Sequence, residues 1–324
     1  MSTATVLTPP RRPVGILYEH PEWFRPLFEE LERRDIPFEL IDADRLRYDP
    51  AVTELEYSVV LNRMSPSSWL RNSRTSAFAT RDFLLYLEDI GVPVINGSVA
   101  YGYEISKARQ LQLLQRLDVA HPRARVINHP SQAVAAAEGL TYPVLVKPNI
   151  GGSGAGIVSF DTPDALQRAA QAGELEFGPD DTALVQEHLT AEGNAIVRVE
   201  FLDGHLLYAI RISLMPNSFN LCPADYCELP GIADGVSGRG LPIEGYRPPD
   251  SAVEEAGRLL TATGADLGGV EYLVDERTGE PNFYDINALS NFVADAPNVV
   301  GFDPFVNLVD FIAERAARYE GARA

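Results

Sequence analysis

Cysteine is nearly absent from this sequence: its 324 residues include only Cys222 and Cys227, within the stretch CPADYC. A zinc site usually takes four nitrogen or sulfur ligands, and the five scattered histidines supply no obvious complement. We therefore interpret both cysteines as reduced thiols, the usual state inside cells. This excludes a disulfide-stapled scaffold and disfavours a zinc protein.

Long apolar runs are also missing. No run approaches the ~18 residues needed to cross a membrane, and the polar leader before Val14 precedes a short apolar run that is typical of a strand. We therefore expect a cytoplasmic protein. The net charge of −19 would repel a phosphate backbone, which disfavours nucleic acids and anionic membranes as partners. Small molecules remain as partners, and we also expect a homo-oligomer, a dimer or a tetramer.

The overall composition and length predict a folded protein of the size of an enzyme. A hydrophobic content of 45% excludes disorder, and the length predicts two or three subdomains. From Val14 to about Tyr101 apolar runs alternate with helical patterns, which predicts a parallel sheet covered by helices. Helices and hairpins follow in an α+β pattern. We place the units at residues 1–102, 103–180 and 181–324.

A glycine-rich loop lies between two apolar runs in YPVLVKPNIGGSGAGIVSF, residues 142–160. It lacks the Lys and Ser/Thr that end a P-loop, and a strand follows it where a dinucleotide fingerprint requires a helix. The pattern predicts a β-hairpin whose tip folds over a phosphate chain, with Lys147 reaching the same phosphates from the first strand. From this stretch alone, a flexible hairpin with a surface lysine is an equal alternative.

A second hairpin is predicted in AIVRVEFLDGHLLYAIRI, because Asp-Gly is a strong two-residue turn signal. Counting outward from this turn sets Arg198 opposite Ala209 and makes Arg198 and Arg211 diagonal neighbours. Two adjacent guanidinium groups favour binding of an anion. The alternative is that Glu200 neutralises them on a solvated face. The other face of the hairpin is predicted to be apolar and to carry Val197, Val199, Phe201, Leu206, Tyr208 and Ile210.

A third hairpin is predicted in GGVEYLVDERTGEPNFYDIN. With its turn centred on Thr278, Glu271 lies opposite Asp285, and Asn287 follows on the same face. Two carboxylates directly opposite each other destabilise a sheet unless a cation sits between them. Oxygen ligands favour Mg²⁺ or Mn²⁺ over zinc. The alternative is a one-residue slip of the register, which would turn Glu271 to solvent.

Taken in order, VLVKPNIGGSGAGIV, LVQEHL, the Arg198 hairpin, GGVEYL and FYDIN resemble the ATP-grasp superfamily, and within it the RimK-type carboxylate–amine ligases. The resemblance implies an ATP-grasp fold with an N-terminal Rossmann-like pre-ATP-grasp domain, and ATP with Mg²⁺ (or Mn²⁺) as cofactors. Metal ligands are implied at Glu271, Asp285 and Asn287. Nucleotide contacts are implied at Lys107, Lys147, Gly151, Gly152, Ser153, Gly154, Gly156, Gln186, Glu187, His188, Leu189 and Asn194.

The remaining implied roles concern the substrates. Arg198 and Arg211 would stabilise charge on the transferred phosphoryl group and on an acyl phosphate. Arg63 follows a predicted strand, at the edge where open α/β sheets bind ligands, and we expect its forked guanidinium to bind the substrate carboxylate. A structural strand-end arginine is the alternative. The long Gly- and Pro-rich segment 213–250 is expected to cover the acceptor site.

The chain departs from the family pattern at several positions. DIN stands where Glu-x-Asn is usual, and Glu271 stands where Asp is more usual. Ile196 replaces an acid that commonly binds ribose, which leaves Glu192 or Asn194 for that contact. ALSNF follows the metal ligands in place of Ser-Pro-Gly, which puts the substrate-side geometry in doubt. Every implied ligand position keeps an oxygen donor, so these departures favour an unusual substrate over lost activity.

The function implied by the resemblance is ATP-dependent amide formation between a small-molecule carboxylate and an amine, through an acyl phosphate, with release of ADP and phosphate. No nucleophilic Ser, Cys or His is required. Two alternatives remain open. One is an ATP-grasp enzyme with a non-amine acceptor, such as a kinase or a carboxylase. The other is a non-catalytic ATP-binding regulator, against which the retained lysines, arginines and metal ligands argue.

Overall fold

The computed structural model describes residues 10–71, 76–214 and 242–323. Its first sheet is parallel, with strand order β2-β1-β3-β4. The strands are β1 (Val14–Tyr18), β2 (Phe38–Asp42), β3 (Val59–Asn62) and β4 (Val94–Ile95). The helices of this region are α1 (Arg25–Arg33), α2 (Ser76–Asp89) and α3 (Ser98–Glu104). The predicted alternation of strands and helices around a parallel sheet is confirmed.

The second sheet is antiparallel, with strand order β5-β8-β6-β7. Its elements are α4 (Lys107–Arg116), β5 (Ala124–Ile127), α5 (Ala133–Ala136), β6 (Val144–Pro148), β7 (Val158–Phe160), α6 (Pro163–Ala172) and β8 (Ala183–Glu187). Thr162 caps α6 through its side chain, and Gly173 ends the helix with a left-handed φ of 74°. We predicted a unit boundary after residue 180. In the structure β8 lies beyond that boundary but pairs with β5 and β6 of the second sheet.

The third sheet has strand order β11-β10-β9-β12-β13 and is antiparallel. Its elements are β9 (Ala195–Leu202), β10 (His205–Ser213), β11 (Ile243–Gly245), α7 (Asp250–Thr263), β12 (Leu267–Val274), β13 (Pro281–Asn287), α8 (Ala296–Val299) and α9 (Pro304–Arg323). One apolar core joins one face of this sheet to α9 and the first sheet. A second core lies on the other face with α7.

A β-bulge in β10 overturns the register predicted for the first hairpin. The Asp-Gly turn pairs Leu202 with His205 as predicted, but Leu207 is skipped, so Ile210 rather than Ala209 lies opposite Arg198. Each side chain beyond the bulge turns to the other face. Tyr208 and Ile210 consequently pack in the core shared with the first sheet, whereas Val197, Val199, Phe201 and Ala209 pack with α7.

The segment 213–250 is only partly described. Residues 215–241, with both cysteines, lie outside the described residues, and so does most of the predicted acceptor loop. The described remainder of this segment contains β11, which pairs with β10. Across the described ranges, the helices are all too short or too polar to pass through a lipid bilayer.

Candidate active site

A cavity of about 750 Å³ receives side chains from all three units. The second and third sheets supply its main walls, and the segment Ser65–Ser67, which follows β3, closes another side. Most of the residues singled out from the sequence line this cavity: Lys107, Lys147, Gly151, Gly152, Ser153, Gly154, Gln186, Glu187, His188, Leu189, Asn194, Arg198, Glu271, Asp285 and Asn287. Three others, Gly156, Arg211 and Arg63, are not among its lining residues.

The two lysines of the cavity are the only lysines of the chain, since the other basic residues among its 27 are arginines. Lys107 is the first residue of α4, whose N-terminus is capped by Ser106 and by Asn149 Oδ1, which accepts from the Ala108 amide at 2.8 Å. Lys107 Nζ forms an ion pair with Asp285. Burial alone would lower the pKa of Lys107, but the Asp285 carboxylate raises it above the ordinary value.

Lys147 has the opposite electrostatic environment. It lies on β6 opposite Leu184 of β8 and is 5% exposed. Burial, together with the charge of Lys107, lowers the pKa of Lys147 to about 7. Its amine is therefore close to half-protonated at neutral pH in the free protein, so a phosphate group bound here would draw a proton onto it.

The predicted pairing of Glu271 with Asp285 is confirmed, and Asn287 lies opposite Gly269 two residues further along β13. A bulge skips Tyr284, whose hydroxyl donates to Glu271 Oε2 at 3.0 Å. Burial raises the pKa of Glu271 despite the nearby Arg198. Burial would also raise the pKa of Asp285, but Lys107 and Lys147 lower it overall.

These three side chains suit a hard divalent cation. Asn287 Nδ2 is buried without a hydrogen-bond partner, and the atom of this side chain that is able to bind a cation is the amide oxygen Oδ1. Within the described ranges no three His, Cys, Asp or Glu side chains lie together so as to hold a metal ion, so the candidate set at this place consists of two carboxylates and one amide. Such an oxygen set is typical of Mg²⁺, which keeps positions for water and phosphate.

The glycine loop joins β6 to β7, which confirms the predicted strand, loop, strand order. Its backbone turns through left-handed residues, with φ of 54° at Ser153 and 73° at Gly154. Gly156 lies outside the cavity, where the loop turns back toward β7. Glycine is needed there because its φ is 71° and an added Cβ would lie 2.8 Å from Pro148 Cγ. The tip rests against the first unit, where a Cβ on Gly152 would be 3.6 Å from Ser67 Cβ.

The link from β8 to β9 forms another edge of the cavity. Glu187 accepts from the Thr141 amide at 2.6 Å and pairs with Arg123, which lowers its pKa although burial opposes this. The amides of Glu187 and His188 donate to the Arg123 and Pro143 carbonyls. Leu189 is consequently the next residue whose amide can face a ligand. Asn194 donates to the Leu214 carbonyl at 3.0 Å.

Solved structures with this fold include a D-cycloserine synthetase and an ATP-grasp protein. D-cycloserine synthetase DcsG superposes with a TM-score of 0.67 at 18% identity, covering 94% of this chain and 99% of that one. The RimK domain protein ATP-grasp from Sphaerobacter thermophilus has a TM-score of 0.64 at 16% identity, covering 92% and 98%. Residues 105–216 match the family model of the RimK-like ATP-grasp domain. The chain has the ATP-grasp fold.

Sequence relatives of this chain include ligases. D-alanine--D-alanine ligase of Geobacter sulfurreducens is 28% identical over 245 residues, 73% of this chain and 74% of that protein. A probable alpha-L-glutamate ligase of Teredinibacter turnerae is 30% identical over 125 residues, 38% of this chain and 40% of that protein. The resemblance drawn from the glycine loop and the two acidic strands is thereby confirmed.

Arg198 is the hairpin arginine that lines the cavity. It is 5% exposed, and its guanidinium donates to Glu200 Oε1 at 2.5 Å and to Glu271 Oε1 at 3.0 Å. These two carboxylates outweigh burial and raise its pKa further. Glu200 does neutralise this arginine, as the alternative reading proposed, but in a buried site rather than on a solvated face.

Arg211 does not lie beside Arg198, so that expected pair is wrong. The bulge at Leu207 turns Arg211 to the opposite face, where it lies over the Tyr246 ring at 5.9 Å from the ring centre. A Cβ on Gly193 would be 2.7 Å from Arg211 Nη2. The described structure therefore supplies one hairpin arginine to the cavity instead of two.

Arg63 follows β3 as predicted but is wholly buried. Its Nη2 donates to the Ser290 carbonyl at 2.6 Å, and its guanidinium lies 4.7 Å from the centre of the Phe24 ring. Burial lowers its pKa to about 10, although Glu200 and Glu104 oppose this. Since Arg63 does not reach the cavity, the alternative of a structural strand-end arginine describes it better than a substrate-binding one.

Sequence reasoning missed Glu104, which lines the cavity at the end of α3. Its Oε2 accepts from the amides of Ala288 and Leu289, the first residues after β13. Burial raises its pKa to about 7. The available signal was an acidic residue one turn before Lys107, within a helix of otherwise apolar pattern. Trp23, Ser65 and Ser67 were missed too, because their loops have no motif.

Proposed function

We propose that the chain is an ATP-dependent ligase that joins a small-molecule or peptide carboxylate to an amine, and that the products include ADP and phosphate. The observation that carries this proposal is the meeting of both lysines of the chain with Glu271, Asp285 and Arg198 on one cavity, closed by the glycine loop. A cation-rich phosphate subsite next to an acidic metal subsite suits transfer of the γ-phosphoryl group.

Each residue has a defined part in ATP binding under this proposal. Lys107 and Lys147 contact the phosphates, and the amides of residues 151–154 cover them. The Leu189 amide meets the adenine ring, and Asn194 lies nearest the ribose. Glu271, Asp285 and Asn287 would hold Mg²⁺, which would supply positive charge to offset the negative charge of the phosphates. Lys107 then exchanges Asp285 for phosphate.

The reaction proceeds in two balanced steps. A substrate carboxylate oxygen takes the γ-phosphoryl group, which breaks the bond to ADP and forms an acyl phosphate. The amine nitrogen then attacks the acyl carbon, loses a proton as the amide forms, and inorganic phosphate leaves. Arg198 donates to the oxygens that carry negative charge in both steps, where a donor already in place is most effective.

The scarcity of lysine gives a direct test of nucleotide binding. An ATP analogue that carries a reactive acyl phosphate should acylate Lys107 or Lys147, which peptide mass spectrometry would locate. Excess ATP should protect the labelled lysine. Arg168→Met, at an exposed position of α6, is the control and should label normally. Absence of ATP-protected labelling in a folded sample would contradict the nucleotide site.

The ligase reaction itself is tested by its dependence on an amine. ADP release should be screened over amino acids and dipeptides, with mass spectrometry of the condensed product, and hydroxylamine should trap the acyl phosphate as a hydroxamate. Hydroxamate formation with ADP release supports the proposal. ADP release with a phosphorylated hydroxyl product and no amine requirement would instead identify a kinase.

A further inference from the structure

The guanidinium of Arg198 is held on three sides by buried groups. Its Nε donates to Glu200 Oε1 at 2.5 Å, Nη1 to Glu271 Oε1 at 3.0 Å and Nη2 to Ser290 Oγ at 3.5 Å. All four residues are at most 6% exposed. If Glu271 binds a metal in the loaded enzyme, Glu200 and Ser290 remain to fix the arginine, and Nη1 is released toward the substrate.

Ser290 joins this cluster to the first unit. Its hydroxyl donates to Glu200 Oε2 at 2.6 Å, so the two oxygens of Glu200 hold Arg198 and Ser290 separately. Its carbonyl accepts from Arg63 Nη2 at 2.6 Å. Contacts therefore run from the end of β3 through Ser290 and Glu200 to Arg198. This connection gives buried Arg63 a part in the site although it does not touch the cavity.

Gly269 provides the space in which the arginine lies. It pairs with Glu200 across β12 and β9, and an added Cβ would be 2.6 Å from Glu200 Oε1 and 2.7 Å from Arg198 Nε. Real Cβ atoms do not approach other atoms so closely, so any other residue at 269 would displace the ion pair. Nothing about the φ of Gly269 requires glycine, and the requirement is one of space.

We propose that Glu200, Ser290 and Gly269 are positioning residues for Arg198, and that Arg63 acts on the same arginine through Ser290. The proposal rests on the ligase function, in which Arg198 stabilises charge on the transferred phosphoryl group. A guanidinium that is fixed at two nitrogens before the substrate arrives does not have to reorient during the reaction. No free energy of reorganisation is therefore lost at that step. The ALSNF stretch, which departs from the family pattern, thereby gains a role through its serine.

A double-mutant cycle tests whether Ser290 acts through Arg198. Ser290→Ala should lower kcat about tenfold, the loss expected for one hydrogen bond in a charged network, while KM for ATP stays within about twofold. In an Arg198→Lys background the same change should alter kcat by less than about twofold, because the geometry it supports is already lost. Ser58→Ala is the control, since Ser58 is also fully buried and its hydroxyl donates to the Pro13 carbonyl at 3.2 Å.

Equal losses of kcat from Ser290→Ala in both backgrounds would overturn the inference, and so would a rise in KM for ATP without a change in kcat. Glu200→Gln and Gly269→Ala provide independent variants if Ser290→Ala does not fold. Both should lower kcat by about tenfold or more without weakening ATP binding.

A second measurement does not depend on turnover. In protein with ¹⁵N-labelled arginine, the Nε–H of Arg198 should exchange slowly with water, and Glu200→Gln should speed this exchange at least about tenfold. Ser58→Ala should leave it unchanged. If exchange responds but no amide product is ever formed, the positioning is right and the ligase function is wrong. If amide is formed and exchange does not respond to Glu200→Gln, the positioning inference is overturned.

Discussion

Replacing Lys147 with methionine should stabilise the free protein while removing its affinity for ATP. The methionine keeps the length of the side chain without its charge. Because the pKa of Lys147 lies at about 7 instead of 10.5, the folded state disfavours its ammonium by about 5 kcal/mol at most. If Lys147 binds phosphate as proposed, this site carries a cost in stability in the empty protein, as functional sites commonly do.

The pH dependence follows from the lowered pKa of Lys147. Below about pH 7 the lysine is protonated in both the folded and the unfolded chain, so the folded state bears the whole cost. Between pH 7 and 10.5 only the unfolded chain stays protonated, so the cost falls as pH rises. The stability gain from Lys147→Met should therefore be about 5 kcal/mol at pH 6 and about 2 kcal/mol at pH 9.

Urea unfolding of both proteins at pH 6, 7.5 and 9 measures this gain. Lys107→Met is the matched control, and it should destabilise the protein because it leaves Asp285 buried without its ion-pair partner. Lysine-selective ¹³C labelling gives only two side-chain ε-carbon signals and reads the titration of Lys147 directly. A lower unfolding midpoint for Lys147→Met at pH 6, or a gain that does not shrink at pH 9, would refute the reasoning.

Three further predictions concern the cavity. ATP binding at pH 8 should take up close to one proton, because Lys147 with its pKa of about 7 is mostly neutral until phosphate binds; calorimetry in two buffers of different ionisation enthalpy measures this, and zero uptake contradicts it. Asp285→Asn should lower turnover about 100-fold or more, with exposed Glu280→Gln as the control, and near-normal activity at limiting Mg²⁺ would exclude Asp285 as a ligand. Arg211→Ala should change kcat by less than about threefold in steady-state assays, since Arg211 lies on the face away from the cavity. A larger loss of kcat would show that Arg211 takes part in the reaction.

The sequence predicted the two sides of the cavity unequally well. The glycine loop and the Glu271–Asp285 pair depend on turn chemistry and strand alternation, which are local, and both are confirmed. The Arg198 hairpin has an unmistakable turn, yet one bulge at Leu207 moves Arg211 to the other face. That bulge turns Tyr208 and Ile210 into the core shared with the first sheet, and the Tyr208 hydroxyl accepts from the Val293 amide at 3.1 Å. Tertiary packing of this kind leaves no local pattern to read.

Arg63, the other arginine that the sequence assigned wrongly to the cavity, is buried in the protein. A strand end at the carboxyl edge of a parallel sheet correctly predicts that Arg63 lies near the site, but not whether it faces the cavity or the protein. It faces the protein because Phe24 and the Ser290 carbonyl receive its guanidinium. Glu104 shows the converse case. The sequence pattern around it predicts an exposed acid, but in the structure it is buried and accepts a hydrogen bond from the Leu289 amide just after β13.

The choice between lysine and arginine follows the chemistry of an empty site. An arginine cannot release its proton, so Arg198 stays charged in the free protein and needs Glu200 and Glu271 as fixed partners. A buried lysine can release its proton, and at Lys147 burial and the charge of Lys107 outweigh the opposing effect of Asp285 and Glu271 on its pKa. The chain uses arginine for every other basic residue and keeps lysine for these two positions. Under the proposed function, both lysines would therefore be charged only when an anion enters the cavity, while Arg198 is held in place from the start.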